Sequence, residues 1–169
     1  MKQTKTRFIA QAGITAAMYV VFTYISALLG ISSGVIQCRL SEALCILPAF
    51  FPAAVPGLFA GCLISNLITG AVAADIIFGS AATLIGAIGT YALSKKFKNS
   101  ALLLLPPIAS NTVIVPIVLK YAYGVNDAVW FIVLTVFAGE VLSAGVLGTL
   151  LHTALKKHAE SIFGKNNAK

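Results

Sequence analysis

Charge is what this sequence has least of. Of its 169 residues, 59% are hydrophobic and only 10% are charged. Soluble domains run at about 45–50% apolar and about 25% charged, so a soluble globular protein is excluded. The alternating short segments that build a transmembrane barrel are absent as well. What remains is an all-α integral membrane protein. At about 20 residues per span, the length admits about five to seven helices.

Other absences narrow the function. No Walker motif is present, so the chain does not hydrolyse ATP by the P-loop route. Cys38, Cys45 and Cys62 show no CxxC or Cys/His ligand spacing, which leaves them as packing residues and gives no metal site. The histidines are His152 and His158, both beside lysines near the C-terminal end. No Ser/His/Asp set or paired-carboxylate motif faces them, so no catalytic residue and no cofactor is expected. Low-complexity segments and a soluble domain are missing. No internal repeat stands out, which weakens a secondary transporter built from inverted repeats. The net charge of +7 would suit nucleic acid. Its distribution excludes that, because the basic residues flank apolar runs as they do in an oriented membrane protein.

The apolar runs divide the chain into six expected helices in one membrane domain spanning residues 1–169. They cover about residues 8–29, 41–51, 57–69, 76–93, 101–121 and 129–155, with a basic polar tail over 156–169. Ser41 is a plausible N-cap of the second, whose far end is limited by Pro48, Pro52 and Pro56. The first run is too long for a cleaved signal peptide and reads as a retained helix. The second and third are short for full spans and admit reading as a broken hairpin. Two spans are preferred because the charge count then works. With the N-terminus inside, Lys2, Lys5, Arg7, Lys95, Lys96, Lys98, Lys156, Lys157, Lys165 and Lys169 face the cytoplasm, and only Arg39 and Lys120 face out. That is a strong positive-inside bias, and it places both termini on the cytoplasmic side. Tyr121, Tyr123 and Trp130 fall at the expected outer boundary.

Against this apolar background, five polar side chains at membrane depth need a reason: Glu42, Asn66, Asp75, Asn111 and Glu140. Glu140 lies about 15 Å below the outer boundary at about 1.5 Å per residue, near the bilayer middle. An unpaired carboxylate there costs about 2.5–3.5 kcal/mol on insertion scales. Together with Gln37 and Arg39 in the polar run from Ile36 to Glu42, these residues are candidate walls of an outward-opening solute site. Competing structural readings exist. Asp75 suits a helix N-cap, Asn66 and Asn111 suit helix–helix hydrogen bonds, and Glu42 suits a first-turn carboxylate. Arg39 is expected to orient Glu42 or to close the outer loop. In the first helix, Ala12 and Ala16, and likewise Gly13 and Ala17, make a stripe of small residues at four-residue spacing. Such a stripe allows close helix approach, either to a partner or within the chain.

Taken together these features resemble a known family, the substrate-binding (S) components of energy-coupling factor (ECF) transporters. The run Ile36-Gln37-Cys38-Arg39-Leu40-Ser41-Glu42-Ala43-Leu44, with Leu47-Pro48 and Phe51-Pro52 after it, resembles the QueT-type branch. So do Pro56 to Cys62, Asp75 to Ser80, Leu105-Pro106-Pro107 and Gly139-Glu140. The resemblance implies a six-helix S component in a prokaryotic plasma membrane that captures a scarce solute outside the cell. It implies docking through helix one onto a transmembrane coupling protein that carries two ATPase subunits. The implied solute is a queuosine precursor, a 7-deazaguanine such as preQ0, preQ1 or queuine. Glu and Asn suit the adjacent N–H donors and acceptors of a guanine-like edge. A proton-coupled solitary carrier using Glu140, or an S component for another vitamin-like solute, is the alternative.

Overall fold

The computed structural model describes the backbone of residues 4–32 and 37–163 and the side chains up to residue 157. Lys2, Ile36, Lys165 and Lys169 lie outside the described residues, as does the side chain of His158. Among the described residues the chain is entirely helical. Helix α1 spans Lys5–Leu28, a 3-10 helix follows over Leu40–Ala49, and α2 spans Ala54–Ile68. Then come α3 at Ala73–Ser94, α4 at Ser100–Tyr121 and α5 at Val129–Glu140. A π-helical segment, Val141–Leu147, joins α5 to α6 at Gly148–Phe163.

These bounds sit close to the expected ones, with two differences. The second segment is a 3-10 helix, and the last is interrupted by the π-segment. Ser41 is therefore not a cap: Arg39 holds that position, and Ser41 is buried inside the 3-10 helix. Among the described residues, four helices are long and apolar enough to cross a membrane: Lys5–Leu28, Ala73–Ser94, Ser100–Tyr121 and Val129–Lys157. The chain is thus a multi-pass membrane protein. The 3-10 helix and α2 are shorter apolar elements.

The 3-10 helix is the centre of the molecule. Every residue from Ser41 to Pro48 is buried. Leu44, Cys45, Ile46 and Leu47 pack with Phe50, Phe51, Leu58, Leu103 and Leu104 in the apolar core. Around them the usual soluble pattern is inverted. Ile9, Ile14, Leu67, Ile77, Val113 and Trp130 are exposed, while Thr15, Ser26, Ser41, Asn66, Ser80 and Thr90 are buried. Lipid is as apolar as these exposed side chains, so association rests on close packing and interhelical hydrogen bonds rather than on hydrophobic burial.

Two pieces of backbone chemistry set that packing. Pro107 has no N–H, so the carbonyl of Leu103 loses its usual helical partner. Thr90 Oγ1 donates to it at 2.8 Å from α3. Gly86 lets the two helices meet there, since a Cβ at that position would lie 2.6 Å from Pro107 Cα. On the other side, Gly57 and Gly61 of α2 receive α1. A Cβ on Gly57 would lie 2.7 Å from the Ala12 carbonyl oxygen, and one on Gly61 would lie 2.7 Å from Tyr19 Cβ and 3.0 Å from the Ala16 carbonyl. Ala12 and Ala16 therefore pack within the chain, whereas Gly13 and Ala17 remain exposed.

Candidate functional site

The polar residues converge where the 3-10 helix meets α1, α4 and the end of α5. The buried residues of α1 are Thr15, Tyr19, Thr23 and Ser26, each bearing a hydroxyl. Three of them turn to the 3-10 helix. Ser26 Oγ accepts the Leu40 N–H at 2.9 Å. Thr23 Oγ1 donates to Ser41 Oγ at 2.8 Å. The Tyr19 hydroxyl donates a short hydrogen bond to Glu42 Oε1. The Cys45 thiol, one 3-10 turn further on, donates to Glu42 Oε2 at 3.2 Å.

Asn111 completes the cluster from α4. Its Nδ2 donates to Glu42 Oε2 at 3.3 Å and to Glu140 Oε1 at 3.0 Å. One amide nitrogen thus stands between two carboxylates that would otherwise repel. Glu140 Oε2 is buried and has no hydrogen-bond partner among the described residues. A small cavity of about 20 Å³ lies here, lined by Gln37, Arg39, Glu42, Cys62, Gly79, Thr83, Asn111, Val115, Val136 and Glu140. Glu42 and Glu140 supply its acceptors, Asn111's donors are already engaged, and Gln37 and Arg39 bring donors to the same wall.

A second, larger chamber of about 480 Å³ adjoins it, lined in part by Gln37, Arg39, Asn66, Asp75, Val115 and Tyr123. Gln37, Arg39 and Val115 line both, so they form the partition. The strap carrying Gln37 and Arg39 is tied to α5 and to the π-segment that follows it. A Cβ on Gly139 would overlap the Gln37 carbonyl oxygen. The Arg39 N–H donates to Ser143 Oγ at 3.1 Å, and that hydroxyl lies 3.1 Å from Cys38 Sγ. Ser143 belongs to the π-segment, a local widening of the helix often found at functional sites.

In the outer chamber, Asp75 Oδ2 accepts the Tyr123 hydroxyl at 3.1 Å. Arg39 Nη2 stands 3.9 Å from the same oxygen, too far for a direct hydrogen bond. Asn66 Nδ2 donates to the Asp75 backbone carbonyl at 3.3 Å, bridging α2 and α3. Partial burial, and then the Asp75 carboxylate beside it, raise the Tyr123 phenol above its ordinary pKa, so it is a neutral donor at pH 7.

The seven residues expected at the site therefore split into an inner set of Glu42, Asn111 and Glu140 and an outer set of Asn66 and Asp75, with Gln37 and Arg39 between. Two expectations are revised. Asp75 is not an N-cap, because Val72 occupies that position and Asp75 sits in the first turn of α3. Arg39 pairs with Asp75, and Glu42 is oriented instead by Tyr19, Cys45 and Asn111. Cys45 and Cys62 are more than packing, since one hydrogen-bonds Glu42 and the other lines the inner cavity. Tyr19 was not singled out from the sequence. The signal was the hydroxyl stripe at positions 15, 19, 23 and 26 of α1, a polar helical face within an apolar run. Among the described residues no cluster of His, Cys, Asp and Glu has metal-site geometry.

Comparison with known proteins places this arrangement. A family model described as QueT transporter matches residues 9–157. A curated relative from Lactococcus lactis subsp. cremoris (strain MG1363), named queuosine precursor transporter QueT, is 38% identical over 85 residues. That match covers 50% of this chain and 50% of the relative, so the chain spans about half the length of the curated relative it matches. No solved structure matches significantly.

Proposed function

The chain belongs to the QueT transporter family, and on that premise we propose that it is the solute-binding component of an ATP-driven importer of the energy-coupling factor type. Its solute is a 7-deazaguanine queuosine precursor. The single observation that carries this reading is the inner wall, where Glu42 and Glu140 share one Asn111 amide and Glu140 Oε2 is buried without a partner. A buried acceptor left open costs about 1–3 kcal/mol. A guanine-like edge, with its ring N–H beside an exocyclic NH₂, returns that energy as hydrogen bonds.

The inner cavity of about 20 Å³ has room for a single water, which needs about 10–15 Å³ by this measure. Solute entry therefore requires the strap at Gln37 and Arg39 to move. Its ties to Gly139 and Ser143 make the strap the gate, and the outer chamber is the approach.

In this reading the chain is one membrane domain over residues 1–169 that crosses a prokaryotic plasma membrane six times, with both termini cytoplasmic. It docks on a transmembrane coupling protein with two ATPase subunits. Gly13 and Ala17, the exposed half of the small-residue stripe, offer the flat surface for that contact. Ala12 and Ala16, turned to α2, act by holding α1 in place.

Calorimetry on the purified protein with 7-deazaguanines tests the solute. Saturable one-to-one binding is expected, weakened by about 10- to 100-fold in Glu140→Gln, which loses a charge-assisted hydrogen bond of about 1.5–3 kcal/mol. Binding of none of them removes the solute class. Uptake by the chain alone in proteoliposomes, without ATPase partners, would instead establish a solitary carrier.

A further inference from the structure

The two chambers differ in size and in electrostatics, and the outer one has no assigned role beyond access. At about 480 Å³ it falls within the range of about 300–1,000 Å³ that small-molecule sites occupy. Its Asp75 is only 5% exposed. An ionised carboxylate accepts up to about four hydrogen bonds. Among the described residues, Tyr123 Oη supplies one to this side chain, and Arg39 Nη2 remains at 3.9 Å. Asp75 thus has acceptor capacity to spare, on the wall of a chamber large enough to use it.

Arg39 decides which donors fit. A ligand ammonium bound to Asp75 would sit close to the guanidinium and be repelled, whereas hydroxyl groups would not. Arg39 lines the inner chamber as well, and the difference there lies in the carboxylates' own partners, since Glu42 and Glu140 take their donors from neutral Asn111, Tyr19 and Cys45. The inner chamber therefore suits a neutral, N–H-rich edge. Resting on the family-based reading of the inner site, we propose that the outer chamber is a second recognition subsite. There Asp75 accepts hydrogen bonds from a neutral, hydroxylated substituent of the solute whose heterocycle occupies the inner chamber. Tyr123, a residue 42% exposed, packs against that substituent at the rim. The preferred solute then carries a ring diol rather than being a bare base.

The test compares three probes on the full-length protein by calorimetry. They are 7-aminomethyl-7-deazaguanine, the same molecule carrying a cyclopentenediol on its amine (queuine), and the cyclopentenyl analogue without hydroxyls. Queuine is expected to bind about tenfold more tightly than the parent, the gain of one or two hydrogen bonds to a carboxylate. The analogue without hydroxyls should lose that gain. In Asp75→Ala the ratio of queuine to parent affinity should fall to about one. Equal affinities of all three probes for the native protein would overturn the subsite, as would a ratio unchanged in Asp75→Ala. Parent binding without a diol advantage removes the subsite alone. Failure of parent and queuine alike removes the family-based solute class, and the subsite with it. The comparison of ligands on the native protein stands even if the variant does not fold.

Discussion

Asn111 puts one nitrogen between two carboxylates, and the inner site depends on it. The Asn111→Ala variant leaves Glu42 and Glu140 facing each other without the shared donor. A stability loss of about 1–3 kcal/mol is expected, read as a lower thermal midpoint in detergent, together with loss of solute binding. Tyr19→Phe keeps the Cβ that packs on Gly61 and removes only the hydroxyl that orients Glu42. A penalty of similar size is expected, and native-like unfolding together with native affinity would show that Glu42 does not need this donor. At this scale the sequence was readable where a residue is out of place in lipid. Glu42, Asp75, Asn111 and Glu140 announced themselves by their cost. Tyr19, Cys45 and Cys62 did not, because Tyr and Cys are at home in apolar helices, and only their position beside a carboxylate or a cavity gives them a role.

Helix positions are decided by glycines and by the carbonyls that prolines leave open. At Gly139 the local and tertiary effects have opposite signs. Alanine is favoured over glycine in a helix by about 1 kcal/mol, yet a methyl there overlaps the Gln37 carbonyl, and overpacking costs about 1–3 kcal/mol. Gly139→Ala is therefore expected to push the strap outward and to speed solute release by about tenfold, measured by stopped-flow displacement. A native release rate would show that the strap does not depend on this contact. The small-residue stripe of α1 gives a paired experiment. Gly61→Leu should destabilise the isolated protein, because its Cβ meets Tyr19 and the Ala16 backbone. Gly13→Leu has open space around it, so it should leave unfolding unchanged and weaken co-purification with the coupling protein. Undiminished assembly in Gly13→Leu would remove that face as the docking surface. Four-residue spacing alone could not separate the two halves of the stripe, since adjacent positions on a helix differ by about 100° and only the placement of α2 says which is covered.

For the whole molecule, the proposed orientation rests on the distribution of charge. Lys95, Lys96 and Lys98 follow α3 and Lys120 ends α4, so these connectors lie at opposite ends of α4. A single cysteine placed at Lys120, in a protein whose Cys38, Cys45 and Cys62 are replaced, should react with a membrane-impermeant thiol reagent in intact cells. One placed at Lys96 should not. The reverse pattern would invert the proposed topology, and labelling at both would reject it. The apolar exterior and hydroxyl-rich interior fit this setting. Water would reverse that arrangement, whereas lipid leaves unpaired polar groups nowhere else to go.

The sequence by itself determined the helical class, the approximate bounds of the helices and the set of polar residues that had to meet. Each follows from local rules: the scarcity of charge, the length of an apolar run, and the cost of a carboxylate in hydrocarbon. Only the tertiary structure decided that the second segment is a buried 3-10 helix and that Tyr19 and Asn111 hold Glu42. It alone separated the polar residues into two chambers, with Arg39 on the wall between them and paired with Asp75. These outcomes depend on the facing direction of side chains far apart in sequence, as with Asn111 and Glu42, which are 69 residues apart. That direction is set by how closely glycines and prolines let neighbouring helices approach, which no local pattern encodes.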